Sequence, residues 1–257
     1  MKEGISAVII TKNEEQNIGR CIDALLPIVD EVIVVDSHST DKTAEICQTK
    51  GIRFFQIDWR GYGATKNFGN QQAKYTYILS VDADEAPDEE LQKTILNLKR
   101  EGLNGIYEVN RFTNYCGKWI KHSGWYPDWK LRLFPNAYYE WDDQVVHEAL
   151  IAQKTFSSKK LQGHLLHYSY NDENDHRQRA DKYSALTAQK LAQQGKKASL
   201  FKPYLSALGR FITMFFIKLG FLDGKMGFNI AWISAQSNIF KYKELRRLNR
   251  EQKSKLK

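Results

Sequence analysis

The sequence predicts an α/β protein: a mostly parallel, doubly wound sheet followed by a C-terminal amphipathic helical segment. Three observations predict it. Short apolar runs alternate with segments of helical period through residues 5–100. Three of those runs break off into clusters of short polar side chains, as fully buried strands do at the edge where ligands gather. From about Gln178 the pattern becomes helical throughout, and it ends densely basic. A chain of 257 residues, 42% of them hydrophobic, is enough for one large core with an appendage. The expected division is 1–175 for the sheet domain and 176–257 for the helical, basic segment.

The elements follow in order. Ile5 to Ile10 reads as a buried strand that ends in Thr11-Lys12-Asn13-Glu14-Glu15, and Asn17 to Leu26 has helical spacing. Asp30 to Val35 is a second strand, ending in Asp36-Ser37-His38-Ser39-Thr40-Asp41; a helix from Lys42 to about Lys50 stops at Gly51. Ile52 to Ile57 is a short third strand, followed by a glycine-marked turn and a helix over about Ala64 to Ala73. The fourth strand, Tyr77 to Val81, stops at Asp82 and Asp84. In extended backbone that i, i+2 spacing puts both carboxylates on one side, where they can hold a hard divalent cation. The plainer reading is that they only precede the helix opened by Pro87-Asp88-Glu89-Glu90.

Each polar cluster taken alone can be a set of helix caps. Their recurrence at successive strand ends weighs against that, because right-handed crossovers bring all of them to one edge of the sheet. No Gly-x-Gly-x-x-Gly follows the first strand, and no Gly-x-x-x-x-Gly-Lys-Ser/Thr occurs, so dinucleotide and P-loop binding have no support.

Further on, Gly105 to Arg111 and Lys130 to Phe134 alternate like strands around an aromatic-rich loop, most of whose rings suit an ordinary core. Arg132 can face a phosphate or pair with Asp128. A second polar cluster runs from Asp142 to Glu148. His164 and His167, three apart on a strand, point to opposite faces, which suits structural roles; His167 has a diphosphate contact as its alternative. Asn171 to Arg179 reads as a polar link. Helical spacing then runs to Gly195, and two apolar stretches, Phe201 to Leu222 and Met226 to Phe240, precede the basic Lys241-Tyr242-Lys243-Glu244-Leu245-Arg246-Arg247. This pattern fits interfacial binding to an anionic membrane surface, with a homo-oligomer interface or a helical cover as alternatives. The formal charge of +8 suits an anionic partner, yet no nucleic-acid-binding motif accompanies it. Three scattered cysteines and a start without a signal peptide suggest a reducing compartment.

Residues 5–85 resemble the nucleotide-sugar half of the family-2 glycosyltransferases, which have the GT-A fold. The motifs that carry the resemblance are Ile9-Ile10-Thr11-Lys12-Asn13-Glu14, Val34-Val35-Asp36-Ser37-His38-Ser39-Thr40-Asp41-Lys42-Thr43, Lys66-Asn67 and Asp82-Ala83-Asp84. The resemblance implies that Thr11 lines the nucleoside pocket with Glu14 nearby, that Asp36 contacts base or ribose, and that Lys66 contacts base or phosphates. It implies that Asp82 reaches the ribose and that Asp84 ligates Mg or Mn. Asn13, Ser37 and Arg132 join this donor-binding set. A run resembling a lipopolysaccharide-core glucosyltransferase branch, Trp125-Tyr126-Pro127-Asp128, Arg132-Leu133-Phe134 and Val146-His147-Glu148, makes Glu148 the expected base. Asp143 and Asp128 are its alternatives, and His147 is a metal ligand or diphosphate contact. The Glu-Asp pair used as base by other family members is missing, which leaves that assignment open.

The expectation is an inverting, metal-dependent enzyme. It would move a hexose, glucose first, from a nucleotide diphosphate sugar, UDP first, to a lipopolysaccharide-core or lipid-linked acceptor, peripherally on the inner face of the cytoplasmic membrane. The rivals are a nucleotidyltransferase and a membrane-attached sugar-nucleotide-binding protein without turnover.

Overall fold

The computed structural model describes residues 1–142, 149–170 and 172–255. The described chain forms two compact units: residues 1–112 with 128–168, and residues 113–127 with 169–257.

In the first unit β1 (Lys2–Thr11), α1 (Ile18–Leu25), β2 (Glu31–Asp36), α2 (Thr43–Thr49), β3 (Arg53–Gln56), α3 (Tyr62–Gln71) and β4 (Tyr75–Asp82) alternate as the sequence predicts. β5 (Glu85–Pro87) and α4 (Glu89–Glu101) follow, then β6 (Ile106–Tyr115), β7 (Lys118–Trp119) and β8 (Asp128–Pro135). A hairpin of β9 (Tyr139–Trp141) and β10 (Leu150–Ala152) precedes β11 (Ser158–Tyr170). The main sheet runs β3-β2-β1-β4-β8-β6-β11-β5, with β7 on β6. β3, β2, β1 and β4 are parallel, and the pairings of β8 with β4 and β6, and of β5 with β11, are antiparallel.

The parallel strands are apolar on both faces. Ile5, Ala7 and Ile9 pack on one side with Val32 and Val34, against Ile18, Cys21, Ile22 and Leu25 of α1, which recur at i, i+3, i+4 and i+7. Val8, Ile10, Ile33 and Val35 pack on the other with Phe134 and Trp141. α4 opens where the sequence places it: the Asp88 carboxylate accepts from Leu91 N–H at 2.8 Å, with Glu89 and Glu90 in the first turn. Gly163 is required beside it. At φ +89° its backbone passes so close that a Cβ would lie 2.1 Å from Leu91 N.

In the second unit α5 (Glu173–Gln193), α6 (Lys202–Ile212) and α7 (Gly224–Lys255) dominate, with one π turn over Thr213–Ile217 and a 3-10 turn over Gly220–Asp223. The expected polar link through Arg179 is helix instead. Asp172 caps it by accepting from Asp175 N–H at 2.8 Å, and Glu173 and Asp175 favour the positive end of its dipole. The basic tail described to Lys255 is likewise a continuation of α7. Trp125 packs against Tyr115, Tyr170 and His176, a core role.

Candidate active site at the strand ends

Parallel register aligns the polar clusters. Thr11 pairs with Asp36, Asp36 with Gln56, and Ile10 with Asp82, so the carboxyl ends of four strands stop at one level. Asp36 is fully buried; its carboxylate accepts from Ser39 N–H at 2.9 Å and Gln56 Nε2 at 3.0 Å, and from the Ser39 hydroxyl. Asn13, at φ +56°, stitches the first two loops together. Its N–H donates to Ser39 Oγ at 2.8 Å, and its Oδ1 accepts from Thr40 N–H at 2.8 Å. Glu14 serves the same seam: its N–H donates to Thr43 Oγ1 and its carboxylate accepts from Asn17 Nδ2, both at 2.8 Å. Thr11 Oγ1 and Ser37 Oγ are buried with no hydrogen-bond partner among the described residues. Such orphaned hydroxyls are uncommon and fit a ligand-binding floor.

Beside them lies a lattice of alternating charges, with Lys66, Glu85 and Arg132 buried and the other members part-exposed. Asp82 is held by Lys66 Nζ at 3.3 Å and Arg132 Nη2 at 2.9 Å. The same Nη2 meets Glu85 Oε1 at 2.7 Å, and Glu85 Oε2 accepts from Asp82 N–H at 3.0 Å. Arg111 stands 3.7 Å from Glu85 and 2.7 Å from Asp128, which Lys130 also meets at 3.0 Å. Burial would raise the Asp82 pKa, but the cations Lys66 and Arg132 outweigh it and hold the carboxyl well below the usual carboxylate range. Arg132 therefore faces two carboxylates, and Asp128 pairs with Arg111 and Lys130. Lys66 also sits 4.6 Å from the Trp141 ring centroid, while Asn67 exchanges hydrogen bonds with the Trp141 backbone at 2.8 and 2.9 Å.

Asp84 lies in the turn after β4, not in extended backbone, and has a partner of its own. His167 Nε2 lies 3.3 Å from its Oδ2, and His164, on the opposite face of β11, bonds Asp88 at 3.1 Å. Among the described residues no group of three His, Cys, Asp or Glu side chains is gathered for a metal. The Asp84–His167 pair still fits one: it offers an oxygen and an imidazole nitrogen, a partial set of the kind completed by water and substrate phosphates. Asp143, His147 and Glu148 lie outside the described residues. Sequence reasoning passed over Glu85, whose signal was an acid directly after Asp82-Ala83-Asp84, and Arg111, which has none.

Residues 6–159 match the model of Glycosyl transferase family 2. An uncharacterized glycosyltransferase of Rickettsia typhi, RT0209, is 32% identical over 95% of this chain and 87% of its own length. The lipopolysaccharide core biosynthesis glycosyltransferase LpsC of Rhizobium meliloti is 28% identical, covering 90% of each chain. The low-salt glycan biosynthesis hexosyltransferase Agl6 of Haloferax volcanii is 36% identical over a shorter stretch, 38% of this chain and 25% of that one. With strand-end motifs of this order and a family match across most of the sheet, the chain belongs to glycosyl transferase family 2 and is a glycosyltransferase.

Proposed function

We propose that the chain is an inverting hexosyltransferase that uses Mg or Mn and moves a hexose, glucose as the first choice, from a UDP sugar. The acceptor is a lipopolysaccharide-core or lipid-linked glycan, and the enzyme works peripherally at the inner face of the cytoplasmic membrane. The observation that carries the reading is the convergence of Thr11, Asp36 and Asp82 at one edge of the parallel strands, with Asp84 in the turn that follows Asp82. The name of LpsC supports the acceptor class, and that of Agl6 supports the hexose.

In this reading Thr11, Ser37 and Asp36 receive the nucleoside, and Asp82, oriented by Lys66 and Arg132, meets the ribose. Asp84 and His167 would hold the cation, which supplies charge neutralisation for the departing diphosphate. Glu148 takes the proton from the acceptor hydroxyl as its oxygen bonds to the anomeric carbon and the bond to the diphosphate breaks. A single displacement needs no enzyme nucleophile, and it inverts the centre.

The test is thermal unfolding of the full chain with a panel of nucleotide diphosphate sugars, with and without Mn²⁺. A UDP-hexose is expected to raise the midpoint only when metal is present, since a ligand that binds the folded state stabilises it. No stabilisation by any member of the panel would remove the donor assignment. Stabilisation without transfer to any acceptor would favour a binding protein.

A further inference from the structure

Among the described residues, the second unit carries exposed apolar side chains clustered on α6 and the bend after it. α6 is built inside out: Pro203 and Ala207 are buried, while Leu205, Leu208 and Ile212 on the same helix are exposed. With Phe201 before them and Phe216 after, these residues recur at four-, three-, four- and four-residue steps, which makes one helical stripe. Phe201 is 72% exposed and Leu205 and Ile217 are 67% exposed, far more than a core-facing stripe would be. The stripe leads into the bend between α6 and α7, where Ile217, Leu219, Phe221 and Leu222 are also exposed. A contiguous patch of this kind marks an interaction surface.

The bend is firmly built. Gly220 and Gly227 pack so closely that a Cβ on Gly227 would lie 1.8 Å from the Gly220 carbonyl oxygen. Asp223, 4% exposed, accepts from Lys121 N–H at 3.3 Å and His122 N–H at 2.8 Å, while Lys118 Nζ donates to its carbonyl at 2.8 Å. Phe211 meets Phe228 and Trp232 edge to face at 5.8 and 6.3 Å. The apolar tip is thus presented by a fixed frame.

The charge around it has one sign. Between residues 200 and 243 stand Lys202, Arg210, Lys218, Lys225, Lys241 and Lys243 against a single acid, the buried Asp223. No single helix is long and apolar enough to cross a membrane, and the pair Lys202–Ile217 and Gly220–Glu251 is bent by 71°. We propose that α6 and the 216–222 bend form a wedge that enters one leaflet of an anionic bilayer, with the surrounding cations on its headgroups. Apolar side chains supply the insertion, and the cations choose the lipid charge. A second copy of the chain, the other candidate occupant, would present the same cations to its partner and meet repulsion. The proposal deepens the membrane placement in the functional reading, but it concerns lipid binding alone, so its failure and that of the donor assignment are separate results.

The experiment is co-sedimentation of the full chain with vesicles of phosphatidylcholine alone or mixed with phosphatidylglycerol, alongside light scattering without lipid. Wild type is expected to bind the phosphatidylglycerol vesicles, more weakly at high salt. Leu205→Glu with Ile217→Glu should lower partitioning by at least about tenfold, and Lys218→Glu with Lys225→Glu should abolish the preference for anionic lipid. Both variants should keep the wild-type melting profile and UDP-sugar stabilisation, because the altered side chains are exposed in the second unit. Equal binding by wild type and the Leu205/Ile217 variant would overturn the proposal, as would no binding to anionic vesicles. A lipid-free dimer that the same variant dissolves would assign the patch to a second copy instead.

Discussion

His167 Nε2 lies 3.3 Å from Asp84 Oδ2, across 83 residues of chain. Two backbone features fix this approach: β11 pairs His167 with Glu85, and Tyr168 N–H donates to the Asp84 carbonyl at 2.9 Å. In the proposed reading, this carboxylate and imidazole, set by opposed backbones, would hold the cation that the diphosphate needs. His167→Ala should therefore weaken Mn²⁺ binding in the presence of UDP by about 10–100-fold. Asp84→Ala should reduce transfer by at least about 10²-fold while the fold survives. Calorimetric titration of Mn²⁺ into the UDP complex checks the first, and a transfer assay with a melting profile checks the second. Unchanged Mn²⁺ affinity in His167→Ala would separate the histidine from the metal.

Arg132 is the keystone of the charge lattice, since one guanidinium nitrogen serves both Asp82 and Glu85. It is 5% exposed, so removing its charge strands the buried Glu85 carboxylate beside the part-exposed Asp82. Arg132→Met should lower stability by about 3–5 kcal/mol, measured by urea unfolding. Adding Glu85→Gln to that variant should recover part of the loss, because one stranded charge goes with it. Losses that simply add would show that the two side chains act independently.

The legible parts of the molecule were local. Thr11, Asp36 and Asp82 each end an apolar run, and parallel pairing then aligns them whatever the rest of the chain does. The three-residue spacing of His164 and His167 revealed that they face apart, but not that His167 meets Asp84, because β11 returns to β5 from far along the chain. Of the two partners the sequence offers Arg132, a phosphate or Asp128, closeness in sequence suggests Asp128, and the structure pairs it with Asp82 and Glu85 instead. In the structure β8 lies between β4 and β6, which carries Arg132 to Asp82 and brings Arg111 to Asp128. Asn171 to Arg179 looked like a link because its charges lack an apolar stripe, and the Asp172 cap was the signal that outweighed them.

The choice of base divides the remaining carboxylates. Asp128 is tied to Arg111 at 2.7 Å and Lys130 at 3.0 Å, so it is poorly placed to accept a proton without breaking an ion pair. Asp128→Asn should keep most of the transfer rate, whereas Glu148→Gln should keep UDP-sugar binding and lose about 10²–10⁴-fold in turnover. Single-turnover transfer with donor binding measured in parallel distinguishes them. A fully active Glu148→Gln would move the role to Asp143.

His176 should make the second unit acid-sensitive. Its imidazole is buried among Tyr115, Trp125 and Tyr170, with Nδ1 3.0 Å from the Tyr115 hydroxyl. Burial first, and then the neighbouring Arg177 charge, push its pKa down to about 4. The unfolded chain takes up a proton near the ordinary imidazole value of about 6.5 that the folded chain refuses. Its contribution is thus complete above that value and is lost as pH falls towards 4, by up to about 3 kcal/mol. Urea unfolding of wild type and His176→Gln at several pH values isolates the effect, since the carboxylates titrate alike in both. The stability gap between them should narrow steadily on acidification, and a gap that stays constant would mean that the imidazole protonates equally well in the folded state.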